Sequence, residues 1–211
     1  MSKPVFVFGA SGHAKVVIDV LRRAGSHVQL LVDDDAARHG SEVLGCRVQG
    51  SRDLLLAQSD AAGYGIVAIG DNGVRLAVVE WLRRYGLDFV TAVDPSAVVS
   101  GYAVVGTGSL VMPLVVVNAN ARIGDHVIIN TAATVDHDCT VGDGVHIAPG
   151  CHLCGDVTVG NGAFLGAGTI VTPGVRVGVG TIIGAGSTVL ADIPDGARAA
   201  GSPCRILEVK S

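Results

Sequence analysis

Two patterns of apolar residues divide the chain. In the first part, short apolar runs alternate with segments whose apolar residues recur every three or four positions. "KPVFVFG" is a compact run ending on glycine and predicts a buried strand. "HAKVVIDVLRRAG" follows with helical spacing, Val16, Val17, Val20 and Leu21 sharing a face and Gly25 supplying the stop. "HVQLLVDDD" predicts a second strand ending in acids, and "YGIVAIG", "VRLAVVEWLRRYG" and "DFVTAV" predict strand, helix and strand. Such alternation predicts a small parallel sheet flanked by helices, with a ligand at the carboxyl ends of its strands.

From Val105 onward the period becomes six. Val105, Val111, Val117, Ile123, Ile129, Val135, Val141, Ile147, Leu153, Val159, Leu165, Val171, Val177, Ile183 and Val189 open successive hexads. Val105 to Pro194 holds 29 Val, Ile and Leu residues, so chance would place about five on any one phase. The second position is often Gly, and the fifth is mostly small or Val, as at Ala121, Ala133, Cys139, Cys151, Ala163 and Ser187. This predicts a parallel β-helix: the aliphatic points into a narrow prism, glycine permits the corner, and small residues fill the remaining interior. Three hexads make one coil, so residues eighteen apart stack at the strand spacing of roughly 4.8 Å. Val115, Val127 and Val145 are expected to face outward and to need cover from other subunits.

Composition agrees with a thin prism: aromatics make up 4% of the 211 residues, whereas Gly numbers 30. The net charge is −4 with no Lys/Arg cluster, which argues against nucleic acid as a partner. Gly, Ser and His interrupt the N-terminus where a signal peptide needs an unbroken apolar centre, and the uncharged stretch 95–121 is dotted with polar residues. No membrane span and a cytoplasmic location are therefore expected. Five cysteines without a secretion signal read as reduced thiols. Cys151 and Cys154 have CxxC spacing but no second pair, and Cys139 and Cys151 fall on the small interior phase, so no metal is expected.

Candidate chemistry gathers at Asp136-His137-Asp138, with His146 nine residues later. A histidine between carboxylates suits a general base, since its ordinary pKa lies near 6.5 and an adjacent acid raises its basicity. From the pattern alone, a solvent-facing corner histidine is an equally good reading. Gly155 stacks beside His137 one coil later, and its bare N–H suits an oxyanion donor. His126 and His152 read as surface residues. "GASGHA" is G-x-x-G and not G-x-G-x-x-G, so it gives NAD little support, yet a glycine loop opening a helix suits a pyrophosphate. Asp33 to Asp35 read either as a solvated loop or as acceptors for a base or ribose.

"FGASGHAKVVIDVL", "IGDNGVR", "VDHD" and the hexads together resemble the bacterial nucleotide-sugar N-acetyltransferases that acetylate 4-amino sugars in bacillosamine and perosamine pathways. The resemblance spans roughly residues 3 to 207 and implies a Rossmann-like nucleotide-sugar domain over 1–95, then a left-handed β-helix over 96–211. It also implies a homotrimer with active sites between subunits, and acetyl-CoA as co-substrate without a permanently bound cofactor. By the same resemblance His137 is the catalytic base with Asp138 behind it, where relatives usually carry Glu. His146, Gly155, Ala167, Ala185 and Arg205 are carried over as acetyl-CoA contacts. Ser11, Gly12, His13, Asp33, Asp34 and Asn72 are carried over as substrate contacts, with the aspartates near a uridine. Asp71 replaces a more usual Asn and exchanges donor capacity for negative charge. The implied activity is N-acetylation of a UDP-linked 4-amino-4,6-dideoxy sugar. Its rivals are a sialic acid or other sugar O-acetyltransferase, a zinc-dependent β-helix enzyme, and a non-catalytic nucleotide-sensing scaffold.

Overall fold

A computed structural model describes residues 4–58 and 63–207. The chain divides into two compact units, Met1–Pro95 and Ser96–Ser211.

The first unit runs β1 (Pro4–Phe8), α1 (Gly12–Arg23), β2 (His27–Val32), β3 (Glu42–Val43), β4 (Cys46–Gly50), α2 (Arg52–Ala57), β5 (Tyr64–Val67), α3 (Asn72–Arg84) and β6 (Asp88–Phe89). The sheet order is β3-β4-β2-β1-β5-β6, and every neighbouring pair is parallel except the β3–β4 hairpin. The chain leaves β1 for β2 on one side and returns as β5 on the other. The carboxyl ends of β1 and β5 therefore flank a switch point, where loops diverge and leave a crevice. Phe6, Phe8, Leu30, Val32, Leu55, Val67, Val78, Val79 and Leu82 form the core between sheet and helices, each such side chain stabilising by about 1.5–3 kcal/mol on burial. The buried face of α1 is Ala14, Val17, Ile18 and Leu21 with Val20. Val16, expected on that face, is 41% exposed, because the i, i+3, i+4, i+7 stripe starting at Ala14 leaves it outside.

In the second unit two-residue strands recur every six residues and stack in three columns. Val98–Val99, Val116–Val117, Thr134–Val135, His152–Leu153, Ile170–Val171 and Thr188–Val189 form one face. A second carries Val104–Val105, Arg122–Ile123, Thr140–Val141, Thr158–Val159 and Arg176–Val177. Leu110–Val111, Ile128–Ile129, His146–Ile147, Phe164–Leu165 and Ile182–Ile183 form the third, which Arg198–Ala200 extends after a shortened last coil. Partners lie eighteen residues apart, and every hexad-opening aliphatic from Val111 to Val189 is buried.

Three expectations are corrected here. Val115, Val127 and Val145 are fully buried and point inward. They share the fifth hexad position with Ala121 and Ala133, and that position faces the prism whatever its size. The second-position glycines are not the left-handed corner residues. That conformation falls at the fourth position, held by Leu114 (φ 62°), Asn120 (63°), His126 (55°), Ala132 (56°) and Asp138 (61°). Second-position glycine answers to stacking instead: a Cβ at Gly106 would lie 2.4 Å from the Gly124 carbonyl oxygen of the next coil. His126, expected at the surface, is 2% exposed, since the hexad phase sets its backbone but not what lies over its ring.

Candidate active site

One corner of the β-helix carries Asp136-His137-Asp138, between the strands Thr134–Val135 and Thr140–Val141. The left-handed turn at Asp138 folds its carboxylate back to the preceding ring, and His137 Nδ1 lies 2.8 Å from Asp138 Oδ2. A carboxylate only accepts, so Nδ1 carries the proton and Nε2 keeps its lone pair. Asp136 Oδ1 accepts from the His137 backbone N–H at 2.7 Å. The hydrogen bond to Asp138 raises the His137 pKa above its ordinary value, assisted by the charge of Asp136. Both aspartates are held below the usual carboxylate range, Asp138 chiefly by His137 and Asp136 chiefly by the His137 N–H. Gly155 stacks on this layer so closely that a Cβ would lie 2.7 Å from His137 Nε2. The imidazole occupies the space a side chain there would need.

His146 stands on a different face, in the strand His146–Ile147. Its Nε2 is 3.2 Å from Asn130 Nδ2, and its ring meets Phe164 edge-on at 5.2 Å. The next corner along the chain stacks Pro149, Ala167 and Ala185. All three are exposed, and the Gly168 and Gly186 N–H groups bind the Pro149 and Ala167 carbonyls. Such a corner offers little side chain and much accessible backbone. Arg205 is exposed and donates to the Cys204 carbonyl at 2.9 Å.

In the first unit, Gly9 turns the chain after β1 with φ 104°, close against the Ala68 carbonyl. Ser11 starts α1 without a side-chain cap to the first turn, and Gly12 is exposed, so the helix N-terminus presents backbone amides as an anion site requires. Asp33 braces this loop: Oδ2 accepts the Ala10 N–H at 2.6 Å and Oδ1 the Asp35 N–H at 2.9 Å. Asp34 is engaged by Arg52 through its backbone N–H, Nε and Nη2. Burial pushes Asp34 up, but the Arg52 hydrogen bonds outweigh it and hold the carboxyl low. The Arg52 guanidinium also lies 4.4 Å from the Trp81 ring centre. Asp71 caps α3 by accepting the Val74 N–H at 2.8 Å, so its carboxylate has a local structural task. Asn72 Oδ1 accepts from the buried Arg75, which also donates to the Ile69 and Gly70 carbonyls. Burial lowers the Arg75 pKa to about 10.

Residues 4–82 match the PglD N-terminal domain, and 120–155 and 138–173 match the bacterial transferase hexapeptide (six repeats). Among solved structures, the chain superposes on a histidine mutant of perosamine N-acetyltransferase from Caulobacter crescentus in complex with CoA and GDP-perosamine. The TM-score is 0.93 at 44% identity, covering 98% of this chain and 97% of that one. The chain belongs to this family of hexapeptide-repeat sugar N-acetyltransferases. The acetyltransferase domain of PglB from Neisseria gonorrhoeae, in complex with acetyl coenzyme A, matches at 38% identity and TM-score 0.91 over 98% of this chain and all of that one. A curated relative is the UDP-N-acetylbacillosamine N-acetyltransferase of Bacillus subtilis (strain 168), 37% identical over 113 residues, 52% of this chain and 51% of the relative. Another is the GDP-perosamine N-acetyltransferase of Escherichia coli O157:H7, 31% identical over 112 residues, with 51% and 50% covered. The chain thus spans about half the length of the curated relatives it matches.

The family's fold brings out residues that sequence reasoning passed over. Asn118 and Asn120 bind Asp136 and Asp138 from the preceding coil, and the eighteen-residue stacking rule applied backwards from the acids would have found both. Asn130 lies sixteen residues before its partner His146, off that register, and no spacing rule points to it. Arg38 reaches the Ala10 carbonyl at 3.4 Å from the loop after β2, with no sequence signal to mark it. Among the described residues no helix is long and apolar enough to cross a membrane.

Proposed function

We propose that the protein transfers the acetyl group of acetyl-CoA to the 4-amino group of a nucleotide-linked 4-amino-4,6-dideoxy sugar. The observation that carries this reading is the His137–Asp138 pair with the ring laid against Gly155. The neutral sugar amine attacks the thioester carbon, His137 Nε2 accepts the amine proton, and the carbon–sulfur bond breaks to release the CoA thiolate, which takes that proton to leave as the free thiol. Asp138 stabilises the imidazolium so formed. The Gly155 N–H serves as donor to the thioester oxygen, where negative charge develops. Ala167 and Ala185 hold the pantetheine arm by backbone contacts, His146 lies near the acyl group, and Arg205 pairs with a CoA phosphate. The separation of His137 from His146, Ala167 and Ala185 by face and corner supports a homotrimer in which neighbouring subunits complete each site.

Ser11, Gly12 and His13 receive the pyrophosphate or sugar at the start of α1, and Asn72 lies at the sugar. Asp33 and Asp34 shape the nucleotide loop through Ala10 and Arg52, leaving backbone atoms of that loop to meet the base. The family resemblance of the sequence implies a UDP-linked sugar. The full-length likeness to a protein bound to GDP-perosamine supports placing a GDP-linked sugar ahead of it.

The test follows thiol release from acetyl-CoA with GDP-, UDP- and dTDP-linked 4-amino sugars and with free sialic acid. Turnover of one nucleotide 4-amino sugar, reduced about 100-fold or more in His137→Ala, is the expected result. Turnover with sialic acid alone would replace this reading by O-acetylation, and turnover undiminished in His137→Ala would remove the base assignment.

A further inference from the structure

Asn118-Ala119-Asn120 lies one coil before Asp136-His137-Asp138, in the register fixed by pairing of Val116 with Thr134 and Val117 with Val135. Each asparagine amide reaches the carboxylate stacked on it. Asn118 Nδ2 donates to Asp136 Oδ1 at 2.8 Å, and Asn120 Nδ2 to Asp138 Oδ1 at 3.2 Å. Neither asparagine has a part in the mechanism above. On the opposite side of the His137 layer stand Gly155, against the ring, and Asp156, whose charge also acts on the imidazole. In the column Asn120, Asp138, Asp156, the acid paired with His137 therefore has an amide on one side and a like charge on the other.

This asymmetry matters because the pair is open to solvent. The His137 and Asp138 side chains are 62% and 52% exposed, and an exposed ion pair of two rotatable side chains is loose by default. Only Oδ2 of Asp138 meets His137 Nδ1. With Oδ1 tied to Asn120, the carboxylate cannot turn without losing a second hydrogen bond. Groups that bind a histidine's partner in this way fix the ring's tautomer and orientation. An acid at position 120 would repel Asp138, and an aliphatic residue would release it.

We infer that Asn120 is a positioning residue, whose amide holds the Asp138 carboxylate so that Oδ2 stays on His137 Nδ1 and the neutral ring keeps its lone pair on Nε2. Asn118 differs, because it donates to the same Asp136 Oδ1 that accepts the His137 backbone N–H and touches no atom that orients the ring. The inference rests on the reading of His137 as the base, and its test separates the two.

The variant is Asn120→Gly. Glycine occupies this corner phase with positive φ at Gly144, Gly150 and Gly162, so the substitution removes the amide without straining the backbone. Circular dichroism and the melting midpoint check that the fold is kept. The His137 imidazole is titrated by NMR in the full-length chain, its resonance assigned by its loss in His137→Gln. The charged groups facing the ring, Asp136, Asp138 and Asp156, are the same in both proteins, so a change in midpoint reports the amide. The expected result is a His137 midpoint moved down towards the ordinary 6.5. With the substrate found above, kcat falls on the order of tenfold while both KM values stay within about twofold. The acidic limb of kcat/KM follows the NMR midpoint downward. A midpoint within about 0.2 unit of the wild type overturns the inference whatever the activity does. Turnover surviving in His137→Ala would instead overturn the base assignment, because the titration needs no turnover.

Discussion

The proposed role of His137 as a base requires a free Nε2, and its two acidic neighbours make that condition depend on pH. Its pKa is raised, first by the hydrogen bond its Nδ1–H donates to Asp138 and then by the charge of Asp136. The neutral fraction, and with it kcat/KM, should therefore fall as pH drops through a midpoint above 6.5. A pH–rate profile checks this. Asp138→Asn removes the acceptor charge, so the acidic limb should move down in pH while kcat at its plateau falls about tenfold or more. Gly155 offers a second test at this scale. Because a methyl there would meet the imidazole at 2.6 Å, Gly155→Ala should displace a mobile ring and not the backbone. We expect kcat lowered on the order of 10- to 100-fold, with the unfolding free energy changed by less than about 1 kcal/mol. Equal losses of stability and activity would show that the glycine serves the fold instead. The Asp136-His137-Asp138 cluster was legible in the sequence because a charged triplet stands out among aliphatics, but its reading as a base came from the family resemblance. Arg75 and Arg52 were not: Arg75 turns back on the Ile69 and Gly70 carbonyls and Asn72 once the helix buries it, and Arg52 meets a ring face and an acid eighteen residues away.

At the scale of the coil, two kinds of corner position divide the work. Fourth positions bend left-handed, and a non-glycine residue there is strained by roughly 1–2 kcal/mol. Ala132→Gly, at an exposed corner with φ 56°, should therefore raise stability by about 0.5–1 kcal/mol in chemical denaturation, relief of strain outweighing the entropy of the added freedom. Third positions on the corner before the strand Leu110–Val111 and its stacked partners carry a ladder in which Asp125 Oδ1 accepts the Thr107 N–H, Asp143 Oδ1 the Asp125 N–H and Asn161 Oδ1 the Asp143 N–H. Asp143→Ala breaks one rung and should cost about 1 kcal/mol, with no effect on turnover if the ladder is purely structural. The six-residue period showed which residues face the prism, and the strand pairs obey it up to the shortened last coil. It misassigned Val115, Val127 and Val145 because a valine looks too large for a phase often held by Ala, Cys and Ser, whereas phase and not size decides the facing. It misread the second-position glycines because sequence shows that a side chain is missing, but not whether φ or a neighbouring coil excludes it.

Over the whole molecule, stability and assembly follow from how the two units are built. The Asp34–Arg52 pair ties the end of β2 to α2, and the folded Asp34 pKa lies below its ordinary 3.8. Its contribution is thus fully present above that value and is lost as pH falls through the lower folded pKa. Arg52→Ala should destabilise the N-terminal unit by about 1 kcal/mol at neutral pH, a modest figure because both groups are partly solvated. The β-helix exposes Val98, Val104 and Leu114, apolar groups that a trimer would cover. Light scattering should give three times the chain mass, and a monomeric mass with full activity would remove the shared-site proposal. The chain's single tryptophan is Trp81, and it lies in the N-terminal unit with Arg52 over its face. Intrinsic fluorescence excited at the red edge is therefore blind to the β-helix. One emission band reports loosening of the N-terminal unit, while far-ultraviolet dichroism sums that unit's helices and the coils, so a dichroism change without a shift of the band is assigned to the β-helix.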